Sequence, residues 1–87
     1  MKISVFETYV RRKDGGLMHF DIIVRTHTSE DAVRAFGREY LKTKGQEGQQ
    51  LTERDCLFCH MEEASPEIES HIKSDGYYIL ELQGCSQ

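Results

Sequence analysis

The spacing of apolar residues changes along this chain, and that change limits what it can fold into. Segments Lys2–Arg11 and Leu17–Arg25 alternate apolar and polar side chains, which is the period of a β-strand. Between them, Asp14, Gly15 and Gly16 are the residue types that a tight turn needs. The sequence therefore predicts that the chain begins with a β-hairpin.

After the hairpin, the apolar spacing becomes that of an α-helix. Thr28 or Ser29 can cap the helix, and an acidic first turn complements its dipole. Its buried stripe is predicted to contain Val33, Phe36, Gly37, Tyr40 and Leu41. Gly45 is expected to end the helix and to open a polar loop, 45–50, that has no apolar residue to anchor it.

The second half repeats this change of spacing. Cys56–Glu63 alternates as a third strand, and Ser65 followed by Pro66 is typical of a helix start. Gly76 ends that helix, and Tyr77–Gln83 forms the last strand. The order β-β-α-β-α-β predicts one α+β domain of 87 residues, a two-layer fold with a four-stranded mixed sheet. Both helices are expected to be right-handed crossovers between parallel strands and to cover the same face.

Charge is unevenly distributed and argues against a nucleic-acid partner. The first 44 residues carry 9 basic and 6 acidic side chains, whereas the remainder carries 2 and 9. The only dense basic run, 11–13, lies at the predicted hairpin tip, where charges protect an exposed sheet edge. Nucleic-acid binding needs a broader basic face, so we expect no such partner.

The sequence also argues against a membrane protein and a disulfide-stabilised protein. No apolar run approaches the roughly 20 residues of a membrane span. The first residues lack the apolar core of an export signal. The three cysteines are an odd number, so we expect reduced thiols and a cytoplasmic location.

The run Cys56-Leu57-Phe58-Cys59-His60 matches the attachment signature of c-type haem. In a strand, however, residues three apart project from opposite faces, so we expect no haem. A zinc site is the alternative. Its ligands would be Cys56, Cys59 and His60, with a fourth such as His19, His71 or Cys85.

A third alternative is a thiol-dependent enzyme, with Cys56 as nucleophile and His19 as base. No recognisable oxyanion hole accompanies this pair, and Cys56 does not lie at a helix start that would lower its pKa. The residues therefore favour a binding protein over an enzyme.

Two helices on one face would leave the other face of the sheet open. The alternation places a mixed set of residues there: His19, Asp21, Ile23, Phe58, His60, Glu62, Tyr77, Ile79 and Glu81. Apolar side chains among titratable ones are typical of a partner surface. The leading hypothesis is a non-enzymatic binding or interaction domain without a cofactor, with a protein or a small ligand as partner, or self-association. Its partner surface would contain His19, Asp21, Phe58, His60, Glu62 and Tyr77.

Five segments resemble a small bacterial family that is catalogued as a domain of unknown function. They are 14–21, 36–41, 44–48, 56–64 and 76–79, and the resemblance that they carry extends over nearly the whole chain. The resemblance implies a compact α/β domain and brings no activity, cofactor or catalytic residue.

Overall fold

The computed structural model describes residues 1–86 and contains the six predicted elements in the predicted order. They are β1 (Lys2–Arg11), β2 (Leu17–Arg25), α1 (Glu30–Thr43), β3 (Cys56–Glu63), α2 (Pro66–Asp75) and β4 (Tyr77–Gln83). The predicted α+β class is confirmed. Ser29 and Ser65 cap the two helices, and each hydroxyl accepts a backbone N–H three residues on. Neither helix is long and apolar enough to cross a bilayer.

The strands form one sheet in the order β3-β1-β2-β4, and every neighbouring pair is antiparallel. The prediction of a mixed sheet is therefore wrong. β2 and β3 do run in the same direction, but β3 pairs with the outer side of β1, and β4 occupies the outer side of β2. Since β3 and β4 occupy the two edges, each helix crosses the sheet instead of joining adjacent strands.

The two helices lie on opposite faces, so the prediction that they share one face is also wrong. On what we call the α1 face, Val33 and Leu41 pack with Phe20 and Ile22 in the larger core cluster. On the α2 face, Ile72 belongs to a separate, smaller cluster. Its other buried members are Ile3, Val5 and Ile23. The central strands have buried apolar side chains on both faces, on the α2 face at the end that contains Ile3, Val5 and Ile23, and burying both sets requires a helix on each side.

Each helix covers only part of its face. α2 packs at the end of the sheet that contains Ile3 and Tyr78, so the end around Tyr9 and His19 is uncovered. α1 packs over β2 and leaves the outer strand β3 exposed: after Cys56, every residue of β3 is exposed. Uncovered surface therefore exists on both faces, in smaller areas than one helix-free face would provide.

The loop between α1 and β3 is anchored by Leu51, which directly follows the predicted polar segment 45–50. Leu51 is 3% exposed and lies against α1 at Gly37. A Cβ on Gly37 would lie 2.7 Å from Leu51 Cδ2 and 2.9 Å from Ile22 Cδ1. The close approach of the loop to the helix therefore depends on a residue without a side chain.

We expect Leu51→Ala to lower the free energy of unfolding by about 2–4 kcal/mol, because it removes buried apolar atoms and leaves a cavity that the surrounding structure fills only partly. Urea denaturation monitored by circular dichroism measures the change. Leu57→Ala is the matched control, because Leu57 is 58% exposed and its truncation should change stability by less than about 0.5 kcal/mol. Equal losses in the two variants would contradict the anchoring role of Leu51.

Candidate functional site

Four of the six residues predicted for the partner surface lie on the α2 face. They are His19, Asp21, His60 and Glu62, and strand β1 separates the first two from the last two. His19 lies opposite Tyr9 of β1, whereas His60 lies opposite Val5. Four positions along a strand correspond to about 13 Å. The two imidazoles therefore share a face without meeting at one point.

Glu7 of β1 connects the residues on the β2 side. Its Oε1 lies 3.1 Å from His19 Nε2 and accepts a hydrogen bond of 3.2 Å from the Tyr9 hydroxyl. The rings of Tyr9 and His19 stack with their centroids 4.2 Å apart. Neither Glu7 nor Tyr9 was among the predicted site residues, although the hairpin register pairs Glu7 with Asp21 and Tyr9 with His19.

Asp21 is half-buried beside this group. Burial raises the pKa of its carboxyl, and the negative charges of Glu7 and Glu62 raise it further, against the opposing influence of His19 and His60. Like charges directly opposite one another in a sheet are destabilising, and Glu7 lies directly opposite Asp21. This part of the α2 face therefore holds a carboxylate in an unfavourable setting.

Phe58 and Tyr77, the other two predicted residues, lie on the α1 face. In β3 a bulge at Cys59 breaks the alternation, so Phe58 pairs with Phe6 and His60 with Val5. The rings of Phe58 and Phe6 meet edge to face at 5.7 Å. Tyr77 stacks on Phe36 of α1, with ring centroids 4.7 Å apart. The sequence pattern therefore combined residues from two sides of the sheet.

Two further residues expected on the open face also belong to the α1 face. Ile79 packs against the larger core cluster. The Glu81 carboxylate accepts hydrogen bonds from the Tyr40 hydroxyl and from Lys44 Nζ at 2.8 Å. Ile23 does lie on the α2 face, but α2 buries it.

The residues of the zinc hypothesis are spread over different environments. Cys56 is buried in the larger core cluster, and its sulfur accepts a 3.5 Å hydrogen bond from the Thr8 hydroxyl. Cys59 is exposed, with its sulfur 3.2 Å from His60 Nδ1. Within residues 1–86, no group of three or more histidine, cysteine or acidic side chains could hold a metal ion.

Cys56 also lacks the setting of a nucleophile. Burial raises the pKa of its thiol, and this outweighs the hydrogen bond from Thr8 and the charge of Arg34, which lower it. A reactive cysteine needs a lowered pKa and access to solvent. Cys56 has neither, so it is best described as a small apolar core residue.

Alkylation under native conditions should separate the three cysteines. We expect iodoacetamide to modify Cys59 readily near neutral pH, because its thiol is exposed. Cys56 and Cys85 are 4% and 5% exposed and should react only after unfolding. Peptide mass spectrometry with and without denaturant gives the result, and rapid native labelling of Cys56 would contradict the buried environment.

The raised pKa of Asp21 predicts a specific pH dependence of stability. Between the ordinary pKa of 3.8 and the raised native value, the folded state binds more protons than the unfolded state. The contribution of Asp21 to stability therefore falls as pH rises through that range. Asp21→Asn should be more stable than the parent protein near neutral pH and should lose this advantage in acid.

Asp14→Asn is the matched control with the opposite sign. The backbone N–H of Gly16 and the Arg12 side chain lower the pKa of Asp14. The ionised Asp14 carboxylate therefore stabilises the folded state fully above the ordinary pKa of 3.8, and this stabilisation is lost as the pH falls through the lowered pKa of the folded state. Urea denaturation at neutral and acidic pH gives the free energy of unfolding of both variants relative to the parent protein. If acid changed this difference in the same direction for both variants, the assigned environments would be contradicted.

Comparison with known proteins supports the fold. No curated protein matches this chain. The NMR structure of protein NE1680 from Nitrosomonas europaea, a structural genomics target, is 40% identical and has a TM-score of 0.84. That alignment covers 99% of this chain and 100% of the other. A family model matches residues 1–82. The chain therefore belongs to the family described as a domain of unknown function, DUF2024.

Proposed function

We propose that this protein is an interaction domain that self-associates by pairing strand β3 with the same strand of a second copy. Three of the six residues predicted for the partner surface, Phe58, His60 and Glu62, lie on this strand. The observation that carries the proposal is the apolar character of an unpaired sheet edge.

β3 pairs with β1 on one side and with no strand on the other, within the part of the chain that the structure describes. Its outer N–H and C=O groups can therefore accept an additional strand. Leu57, Phe58 and Met61 of this strand are 58%, 55% and 55% exposed. Large apolar side chains on an open edge favour pairing with another chain.

Natural proteins usually protect such an edge with lysine, proline, a β-bulge or a covering element, and of these β3 has the bulge at Cys59. β3 contains neither lysine nor proline, and its two acidic residues, Glu62 and Glu63, occupy its last two positions. The middle of the strand therefore contains no lysine, arginine, aspartate or glutamate, and its side chains are exposed. This favours an edge that is normally buried in an assembly.

The bulge at Cys59 makes the strand suitable for pairing with itself. Because Phe58 pairs with Phe6 and Met61 pairs with Ser4, these two exposed side chains lie on the same face, although they are three positions apart. In an antiparallel pair with a two-fold axis between Cys59 and His60, Phe58 of each copy lies opposite Met61 of the other. Each apolar side chain then covers the other.

The acidic end of β3 favours this antiparallel arrangement over a parallel one. In the same two-fold register, Glu62 lies opposite Leu57 of the second copy, so the carboxylates lie at opposite ends of the pair. A parallel pair would place each glutamate beside its own equivalent, which is destabilising. A two-fold pair also buries the same surface on both copies.

Sedimentation equilibrium tests the proposal. The parent protein should show a monomer–dimer equilibrium in a series from about 10 µM to about 1 mM, the range expected for a modest interface. Phe58→Ser should weaken association at least about tenfold, because it removes an apolar contact twice in each dimer.

Leu82→Ser is the matched control, because Leu82 is 50% exposed on β4, the opposite edge of the sheet. It should leave the dimer unchanged. A parent protein that stays monomeric throughout would overturn the proposal, and so would equal effects of the two substitutions.

A further inference from the structure

Three of the six arginines of this chain gather around one cleft beside α1. The cleft has a volume of about 540 Å³ and lies between the helix and the loop that precedes β3. Arg34 and Arg38 line it from α1, and Arg54 lines it from loop 50–54. We call this feature the arginine cleft. It is separate from the apolar side chains of β3.

Arg34 is the innermost of the three, with 8% of its surface exposed. Its Nη2 donates to Asp31 Oδ1, but its buried Nη1 has no hydrogen-bond acceptor within residues 1–86. The Oε1 atom of Glu30 lies 3.8 Å from Nη1, which is too far for a hydrogen bond. Buried donors in folded proteins nearly always have an acceptor. An anion in the cleft can accept a hydrogen bond from Nη1 only after the Arg34 side chain moves, because that atom has almost no contact with solvent.

The other two arginines are held less tightly and at different positions. Arg38 Nη2 donates to the Leu51 carbonyl at 3.0 Å, which ties its guanidinium to the wall of the cleft. The Arg54 side chain is exposed and makes no hydrogen bond or ion pair within the described residues. Its backbone N–H donates to Thr52 Oγ1 at 3.3 Å, inside a turn that Asp55 also stabilises. Arg38 is therefore held in place, whereas Arg54 is free to contact a ligand.

The lining of the cleft contains more basic than acidic side chains, which favours an anion. Three guanidinium groups and one carboxylate, that of Glu53, line it. Asp31 and Glu30 form ion pairs with Arg34 and compensate its charge, so the positive charge available to a ligand comes mainly from Arg38 and Arg54. This positive cleft stands out in a protein with a net charge of −4.

We propose that the arginine cleft binds the phosphate group of a small phosphorylated molecule. The planar guanidinium group matches phosphate geometry and can donate two parallel hydrogen bonds to it. The volume exceeds what a lone phosphate needs and lies within the range of small-molecule sites. Three arginines confined to one cleft, with Glu53 among them, suit a compact ligand better than an extended nucleic-acid backbone.

The sequence assembles the cleft through Gly37 and Leu51. Because Gly37 has no side chain, Leu51 can insert against α1 and bring Arg54 beside Arg34 and Arg38. The two helical arginines are four positions apart, so they lie on the same side of the helix.

An NMR titration of the full chain with inorganic phosphate, at constant ionic strength maintained with chloride, tests the site. We expect saturable amide shifts at residues 34, 38 and 50–54. Arg54→Gln should weaken phosphate binding about tenfold, because it removes a charge-assisted contact without disturbing a native one. Glu53→Gln should tighten binding, since it removes the negative charge that lines the cleft.

Arg25→Gln is the matched control, because Arg25 is an exposed arginine at the end of β2, outside the cleft. It should leave the phosphate affinity unchanged. Glycerol phosphate, titrated in parallel, should bind more tightly than inorganic phosphate if the remaining volume holds an organic group.

Three results would overturn the proposal. They are shifts that do not saturate or that spread over the whole chain, an equal loss of affinity in Arg25→Gln and Arg54→Gln, and acetate binding as tightly as phosphate. Weaker binding of glycerol phosphate than of inorganic phosphate would be a fourth such result, because it would exclude a phosphorylated organic ligand.

Discussion

The β1–β2 hairpin occupies the centre of the sheet, and the positions of all other elements depend on it. Its nine cross-strand pairs run from Ile3 with Arg25 to Arg11 with Leu17. With these two strands already paired, β3 and β4 can join only at the outer sides. Because β3 joins on the β1 side and β4 on the β2 side, both helices cross the sheet, and one helix lies over the buried apolar residues on each face.

This arrangement determines which side chains remain exposed to solvent. Two short helices on opposite faces cannot extend over four strands, so the outer strand β3 keeps large apolar side chains in solvent. The loop before β3 follows α1 closely because Leu51 fits against Gly37. The arginine cleft is lined by residues that precede β3, whereas the apolar edge belongs to β3 itself. The cleft suits an anion, and the edge suits another β-strand.

Predictions from the sequence succeeded where the determining contacts are local. The turn at Asp14, the caps at Ser29 and Ser65 and the bounds of the strands depend on residues within a few positions of one another. The grouping of His19 with Asp21 also follows from strand alternation alone. The grouping of Phe58 with His60 failed because a bulge adds one residue, and alternation cannot reveal which residue a neighbouring strand leaves unpaired.

The sequence by itself determined the elements, their order and the hairpin, because turn chemistry, capping and apolar spacing act over short distances. Only the tertiary structure decided the strand order, the opposite placement of the helices and the gathering of Arg34, Arg38 and Arg54. The spacing of Arg34 and Arg38 was visible in the sequence, but Arg54 joins them through a loop whose path depends on the contact between Leu51 and Gly37. Contacts between residues far apart in the chain depend on how whole faces are buried, and local patterns do not contain that information.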